Sequence, residues 1–306
     1  MAKTALVTGG TGFLGRHLVP YLNEQGVETT VLDSKNCDLT DSSNLAKISD
    51  GRYDLIYHLA AWTKAGDFCL FHKGEQWIVN QQINTNALAY WRAEQPQATM
   101  VTMGTSCAYP PELDLKESNY MVGEPDRDLY TYAMTKRMLY QGVLALNDQF
   151  DMSYRYLVPS TLYGPGFDQE DSHFIFDLVR KIVRGKQNGE PVVLWGDGSQ
   201  VRELMYVGDA VKLIELAVAE RPNDILNLGS GQGHTIKQYA EAICARVGYD
   251  PAEIQYDTDR YTGVLKKVFN IEKVRGVFPD FEFTPIEDGV ATVVDDYLTR
   301  FGSQQS

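Results

Sequence analysis

Ala5-Leu-Val-Thr-Gly-Gly-Thr-Gly-Phe-Leu-Gly15 is the stretch that decides the fold. An apolar, β-branched run (Thr4 to Thr8) enters a glycine turn, and a helix-like pattern (His17, Leu18, Tyr21, Leu22) follows at once. Glycines let backbone N–H groups approach a pyrophosphate, whose charge is favoured at the positive end of a helix. Asp33 ends the next strand-like run, Thr29 to Leu32, near the ~20-residue separation expected of a ribose-binding acid. A glycine-rich turn in an ordinary βα unit would use the same glycines. The strand before them, the helix after them and Asp33 together favour a dinucleotide.

Outward from that turn, strand-like runs recur at Ala5–Thr8, Thr29–Leu32, Leu55–His58 and Met100–Met103, with amphipathic segments between them. The alternation predicts an α/β fold of Rossmann type, a doubly wound parallel sheet with helices on both faces. Beyond Pro165 the pattern changes. A helix is expected from Phe174 to Gly185, a strand from Val192 to Trp195, and a strand end plus helix within Arg202–Val218. A strand at Asp224–Leu228 and a helix over Thr235–Val247 follow, and the tail from Pro251 reads as mixed and irregular. The expected layout is a dinucleotide-binding core over 1–165, with 203–229 returning to it. A smaller C-terminal α/β substrate lobe would comprise 166–202 and 230–306.

Bulk properties narrow the function. At 306 residues the chain can bury a large core. Its 41 acidic against 28 basic residues give a net charge of -13, which argues against nucleic acid or an anionic membrane as the main partner. An anionic substrate must therefore be met by a local cluster of Lys and Arg. Four scattered cysteines, Cys37, Cys69, Cys107 and Cys244, form no CxxC pair and no metal-ligand spacing, so no metal is expected and a reducing compartment fits. No signal-peptide pattern opens the chain and no apolar run approaches the ~18 residues that span a bilayer. The expectation is a cytoplasmic protein.

Two local patterns carry chemistry. Tyr132-Ala-Met-Thr-Lys136 puts a phenol and an ammonium four apart, on one face of a helix. The ammonium favours the phenolate and is expected to lower the phenol pKa from ~10, so that the pair exchanges a proton with a substrate oxygen while hydride moves. A surface helix pair would have the same spacing. Met103-Gly-Thr-Ser-Cys-Ala-Tyr109 follows the fourth strand, at the sheet edge where such folds place their active sites. Thr105 or Ser106 is placed to hold the substrate oxygen. Cys107, on the same loop, is either a buried filler or a chemical group.

These motifs resemble the extended short-chain dehydrogenase/reductase family across nearly the whole chain. The likeness takes in Thr8–Gly15, Asp38-Leu-Thr-Asp41, His58-Leu-Ala-Ala61, Thr105–Tyr109, Tyr132–Lys136, Arg155 to Leu162-Tyr-Gly-Pro165, Arg202–Asp209 and Asn227-Leu-Gly-Ser-Gly. The resemblance implies Thr105 as the catalytic hydroxyl and Tyr132 as the acid/base. Lys136 would hold the nicotinamide ribose and tune Tyr132. It also implies a cofactor held by Gly9, Thr11, Gly12, Phe13 and Leu14 of the first turn. Asp33, Asp38 and Leu39 would follow after the second strand, Leu59, Ala60 and Ala61 after the third, and Pro159 later in the chain.

Within that family the chain is most similar to the GDP-L-fucose synthase branch. Gly104-Thr-Ser-Cys-Ala-Tyr-Pro110 looks like its GSSCxYP loop, and Ser172-His173 before an amphipathic helix, Val193–Gly198 and Arg202-Glu match it too. The likeness implies that Cys107 and His173 act as base and acid in epimerisation beside a 4-keto group. Trp195 would pack against the nucleotide base, and Lys181 and Arg202 would meet the diphosphate. Trp195 reads equally as core, and His173 as a helix cap. Dehydratases of the family carry Asp-Glu where this chain has Ser106-Cys107, which argues against dehydration. The implied partner is a nucleoside-diphosphate sugar, and the implied assembly is a homodimer through helices near Ala87–Glu94 and Tyr132–Gln149.

The match departs in three places. Asp33 favours NAD(H) over the NADP(H) of the fucose synthases, although Arg16 and Lys35 leave NADP(H) open. Thr161 replaces an asparagine, and Trp62–His72 does not resemble the corresponding loop. Three functions follow: an epimerase/reductase of a 4-keto-6-deoxy nucleotide sugar, a redox-neutral epimerase that keeps NAD bound, or a non-catalytic NAD-binding regulator.

Overall fold

Five strands, β1 (Thr4–Thr8), β2 (Glu28–Leu32), β3 (Leu55–His58), β4 (Thr99–Met103) and β5 (Tyr154–Pro159), join one sheet with the later strand Asp224–Leu228. The computed structural model describes residues 3–48, 51–64, 68–168, 173–220, 222–259 and 264–302. All neighbours in the sheet are parallel. A parallel sheet is covered on both faces, so its strands read as nearly continuous apolar runs. Ala5, Leu6 and Val7 are fully buried, and every residue of β3 is buried.

β1 lies between β2 and β3. The chain leaves β1 toward one edge and then returns across it, which opens a crevice at the carboxyl ends of β1 and β3. The turn there is tight. Gly9 has φ +67°, and a Cβ on it would stand 2.8 Å from the backbone of Ala60. Its N–H donates to the Leu32 carbonyl at 2.8 Å. Gly15 is the second obligatory glycine, because a Cβ there would lie 2.5 Å from Gly10. Helix α1 (Phe13–Glu24) starts immediately after this turn, while α2 (Lys73–Glu94) and α3 (Tyr130–Phe150) pack against each other.

The chain divides into two compact units: Met1–Pro159 with Ala210–Leu228, and Ser160–Asp209 with Gly229–Ser306. The changeovers fall away from 165 and 203 because Thr161–Tyr163 pairs with Leu204–Tyr206 in a small parallel sheet, and both strands go with the second unit. That unit packs helix α4 (Phe174–Asn188) and Ile286–Phe301 against Ile236–Val247. Ile175, Leu178, Val179, Ile182 and Val183 form the buried stripe of α4, at the spacing of one helix face.

The tail is more regular than its sequence promised. Ile286–Phe301 is a helix burying Val290, Val293, Val294 and Tyr297, an i, i+3, i+4, i+7 set. Among the described residues, no helix is long and apolar enough to cross a membrane, and no cluster of three or more His, Cys, Asp or Glu is placed to hold a metal.

Candidate active site

Five strand ends of the parallel sheet deliver expected cofactor and catalytic residues to one end of it. Gly9, Thr11, Gly12, Phe13 and Leu14 follow β1, Asp33 follows β2, and Leu59, Ala60 and Ala61 follow β3. Thr105 and Cys107 follow β4, and Pro159 ends β5. Gly12 is the N-cap of α1 and brings no side-chain oxygen to the first turn, as suits a helix end that receives an external anion. With the Gly9 cradle against Ala60, this fits a dinucleotide pyrophosphate. The two acids also have local work. Asp33 Oδ1 accepts from the N–H groups of Lys35 (2.9 Å) and Asn36 (3.1 Å), and Asp38 Oδ1 accepts from Thr40 N–H at 2.9 Å. Leu39 is buried, and its carbonyl accepts from Asn86 Nδ2 at 2.8 Å.

Beneath the crevice runs a polar chain that sequence reasoning did not reveal. Asn84 Nδ2 donates to the Thr135 carbonyl at 3.4 Å, which orients the amide so that its Oδ1 faces His58 Nε2 at 3.2 Å. A carbonyl oxygen only accepts, so Nε2 carries the proton and Nδ1 accepts from the Thr8 hydroxyl at 2.9 Å. Thr8 Oγ1 in turn accepts from Ala60 N–H at 3.3 Å. Burial, aided by the Lys136 ammonium, pushes His58 down to about 4, so the imidazole is neutral near pH 7. The sequence signal was the row Gln76, Asn80, Asn84 on α2, polar at every fourth position and almost fully buried. Asn80 holds the segment after β3, accepting from Trp62 N–H at 2.9 Å and donating to the Trp62 carbonyl at 3.0 Å.

Four of the expected catalytic residues, Thr105, Cys107, Tyr132 and Lys136, lie in the first unit. Thr105 caps the turn Ser106–Ala108, its Oγ1 accepting from Cys107 N–H at 3.3 Å. Hydroxyl and thiol therefore share one rigid turn. Tyr132 is half-buried and Lys136 is 4% exposed, one helical turn apart on α3. Burial pushes the Tyr132 phenol above its usual value, and Cys107 and Cys69 add to the rise. The expected lowering by Lys136 is not what the fold produces. Desolvation dominates at both groups and also brings the Lys136 ammonium down to about 8. A phenol with a raised pKa stays protonated, as a proton donor must.

The remaining expected residues lie on the second unit. His173 is the exposed N-cap residue of α4 but makes no side-chain cap bond, so capping does not account for it. Ser172 lies outside the described residues. Trp195 is 57% exposed and is not a core residue. Lys181 pairs with Asp177 at 2.8 Å, an i, i+4 contact of the ordinary helix-surface kind. Arg202 stands directly opposite His234 on one side and Lys267 on the other, across a three-stranded sheet. Arg202 and Lys267 thus place two basic side chains in one row, with donors that suit phosphate oxygens. His234 was missed because only the strand register aligns it with Arg202.

A parallel sheet with its switch point at a glycine turn, and a Tyr–Lys pair beside a hydroxyl-bearing turn, define a dinucleotide-dependent enzyme of carbonyl and alcohol chemistry. The family model described as the NAD dependent epimerase/dehydratase family matches residues 5–229, and the chain belongs to that family. GDP-L-colitose synthase of Yersinia pseudotuberculosis is 27% identical over 276 residues, 87% of this chain and 88% of that protein. GDP-L-fucose synthase of Escherichia coli strain K12 is 26% identical over 314 residues, covering 97% of each chain. A solved GDP-L-fucose synthetase from Naegleria fowleri bound to NADP has a TM-score of 0.87 at 23% identity and covers 99% of this chain and 95% of that one. At that identity the likeness speaks to the fold.

Proposed function

We propose that the protein is a nucleotide-sugar epimerase/reductase acting on a 4-keto-6-deoxy nucleoside-diphosphate hexose. The observation that carries this reading is the single turn holding Thr105 and Cys107, packed against the helix of Tyr132 and Lys136. Dehydratases of the family carry Asp-Glu where this chain has Ser106-Cys107, which argues against dehydration. The first compact unit would serve as the dinucleotide-binding part and the second as the sugar-nucleotide part.

A 4-keto group acidifies hydrogens on the carbons beside it. Cys107, as thiolate, would take such a proton, and Thr105 with Tyr132 would hold the enolate oxygen by hydrogen bonds. His173 would return a proton to the opposite face. A positioned acid or base of this kind contributes ~100- to ~10,000-fold. The nicotinamide, when bound, supplies hydride to C4. Tyr132 would then give its phenol proton to the C4 oxygen, with Lys136 beside it. Trp195 would cover the base, and Arg202, Lys181, His234 and Lys267 would meet the diphosphate.

Asp33 would accept hydrogen bonds from ribose hydroxyls and repel a 2′-phosphate, so NADH is the favoured reductant and NADPH the alternative. A redox-neutral epimerase with tightly held NAD is the second reading, and Asp33 is the residue that favours it. The protein would pair with a second copy through α2 and α3, whose Trp77, Ile78, Tyr130 and Met138 are exposed apolar side chains. Light scattering would then give twice the chain mass.

The test is turnover. Supplied with GDP-4-keto-6-deoxymannose and either reduced nicotinamide, the protein should consume the cofactor's absorbance and release a 6-deoxy sugar nucleotide. Asp33→Ser should shift the ratio of NADPH to NADH efficiency upward by about tenfold or more. No turnover with any 4-keto sugar nucleotide, together with stoichiometric bound NAD, would replace this reading with the redox-neutral one.

A further inference from the structure

Arg137 follows Lys136 directly and is 5% exposed. Its Nε and Nη2 donate to the Ala108 carbonyl at 3.1 and 2.6 Å, its Nη2 also to the Val122 carbonyl at 2.9 Å, and its Nη1 to the Gly123 carbonyl at 2.7 Å. Every acceptor in these bonds is a backbone carbonyl, so the contacts set geometry and do not neutralise the charge. Burying a cation this way costs several kcal/mol, and a structure that needed only volume there would do better with an apolar side chain. What the guanidinium gains is a rigid fork, which ties the residue after Cys107 to the helix of Tyr132 and Lys136.

A second link runs parallel to it. Thr105 N–H donates to Tyr120 Oη at 3.4 Å, Tyr120 and Tyr156 hydroxyls meet at 2.9 Å, and Tyr156 O–H donates to the Lys136 carbonyl at 2.6 Å. The N–H at one end can only donate and the C=O at the other can only accept. The direction is therefore fixed throughout: Thr105 to Tyr120 to Tyr156 to Lys136. Both tyrosines are fully buried. Gly104 lets the turn lie on them, since a Cβ there would meet Tyr156 at 2.7 Å and Tyr120 Oη at 2.9 Å.

We propose that Arg137, Tyr120 and Tyr156 form a buried brace that positions the Thr105–Cys107 turn against the Tyr132–Lys136 helix. None of the three touches a reacting atom in this account; they are positioning residues. The inference rests on the proposed function for its purpose, and its test does not. Cys107 is half-buried, while Cys37 and Cys244 are buried and report on general opening of the protein.

The experiment measures iodoacetamide alkylation rates of Cys107, Cys37 and Cys244 by peptide mass spectrometry in the wild type, Arg137→Lys and Tyr120→Phe. Lysine keeps the charge but not the fork, and phenylalanine keeps the volume but not the hydroxyl. The brace predicts that Cys107 reacts at least about fivefold faster in either variant while the other two thiols keep their wild-type rates. A Cys107 rate that is unchanged, slowed, or raised in step with Cys37 and Cys244 overturns it. With the keto sugar as substrate, each variant should also lose kcat with KM held within about twofold. A wild type that turns over nothing would count against the proposed function alone, because the alkylation rates still decide the brace.

Discussion

Lys136 is a buried lysine whose desolvation costs the fold stability. Desolvation brings its ammonium from 10.5 to about 8, so between those values the folded chain binds fewer protons than the unfolded one, and stability rises with pH through that window. Below pH 8 the full cost is present. Lys136→Met should therefore be about 1–3 kcal/mol more stable than wild type at pH 7 by urea denaturation, while hydride transfer falls by about 100-fold or more. Wild-type kcat should decline above about pH 8 as the ammonium loses its proton. Lys136→Arg should retain some activity without that alkaline limb. A variant less stable than wild type would show that the ammonium has partners the burial argument omits. The Tyr–Lys pair was legible from its four-residue spacing together with the family resemblance, because a surface helix pair has the same spacing. The direction of the Tyr132 shift was not, because burial is a property of the assembled fold. The link from Thr8 through His58 and Asn84 to Thr135 was equally hidden, since its members lie tens of residues apart and meet through the pairing of β1 with β3 and the packing of α2 on α3.

At the scale of elements, the glycine turn dictates what precedes and follows it. Gly9→Ala adds a Cβ 2.8 Å from the Ala60 backbone at a residue with φ +67°. The expected cost is about 1–3 kcal/mol, read as a lower thermal midpoint, with nicotinamide cofactor binding weakened at least about tenfold. Wild-type affinity in that variant would mean that the crevice at β1 and β3 is not the cofactor site. Strands β1 to β4 were readable because each is a short run rich in β-branched or apolar residues. β5 was harder to read: its Tyr-Arg-Tyr start is polar, and Arg155 is buried with its guanidinium donating to the carbonyls of Tyr154, Ala217 and Val218 at 2.8, 3.0 and 2.8 Å. The helix Ile286–Phe301 carried a clean apolar period, and the irregular residues before it masked that signal.

At the scale of the whole molecule, acid should act through two buried groups of opposite sign. His58, held down to about 4, stays neutral in the fold, so stability falls as pH drops from 6.5 toward 4. Glu203 is pushed up to about 6 by burial, so its protonation favours the fold as pH drops from 6 toward 4.5. Comparing wild type with His58→Asn cancels the Glu203 part. The variant should lose the component of about 1.4 kcal/mol per pH unit between pH 6.5 and 4, measured as unfolding free energy against pH. Parallel curves would contradict a neutral buried imidazole. The central claim is that one thiol, on the turn that also carries Thr105, does proton chemistry on a keto sugar beside Tyr132. Its most direct measurement is deuterium uptake by GDP-4-keto-6-deoxymannose in D2O, without reduced cofactor, followed by mass spectrometry for wild type and Cys107→Ser. The account predicts incorporation by wild type and a loss of about 100-fold or more in the variant, with cofactor binding preserved. Equal incorporation by both would contradict it.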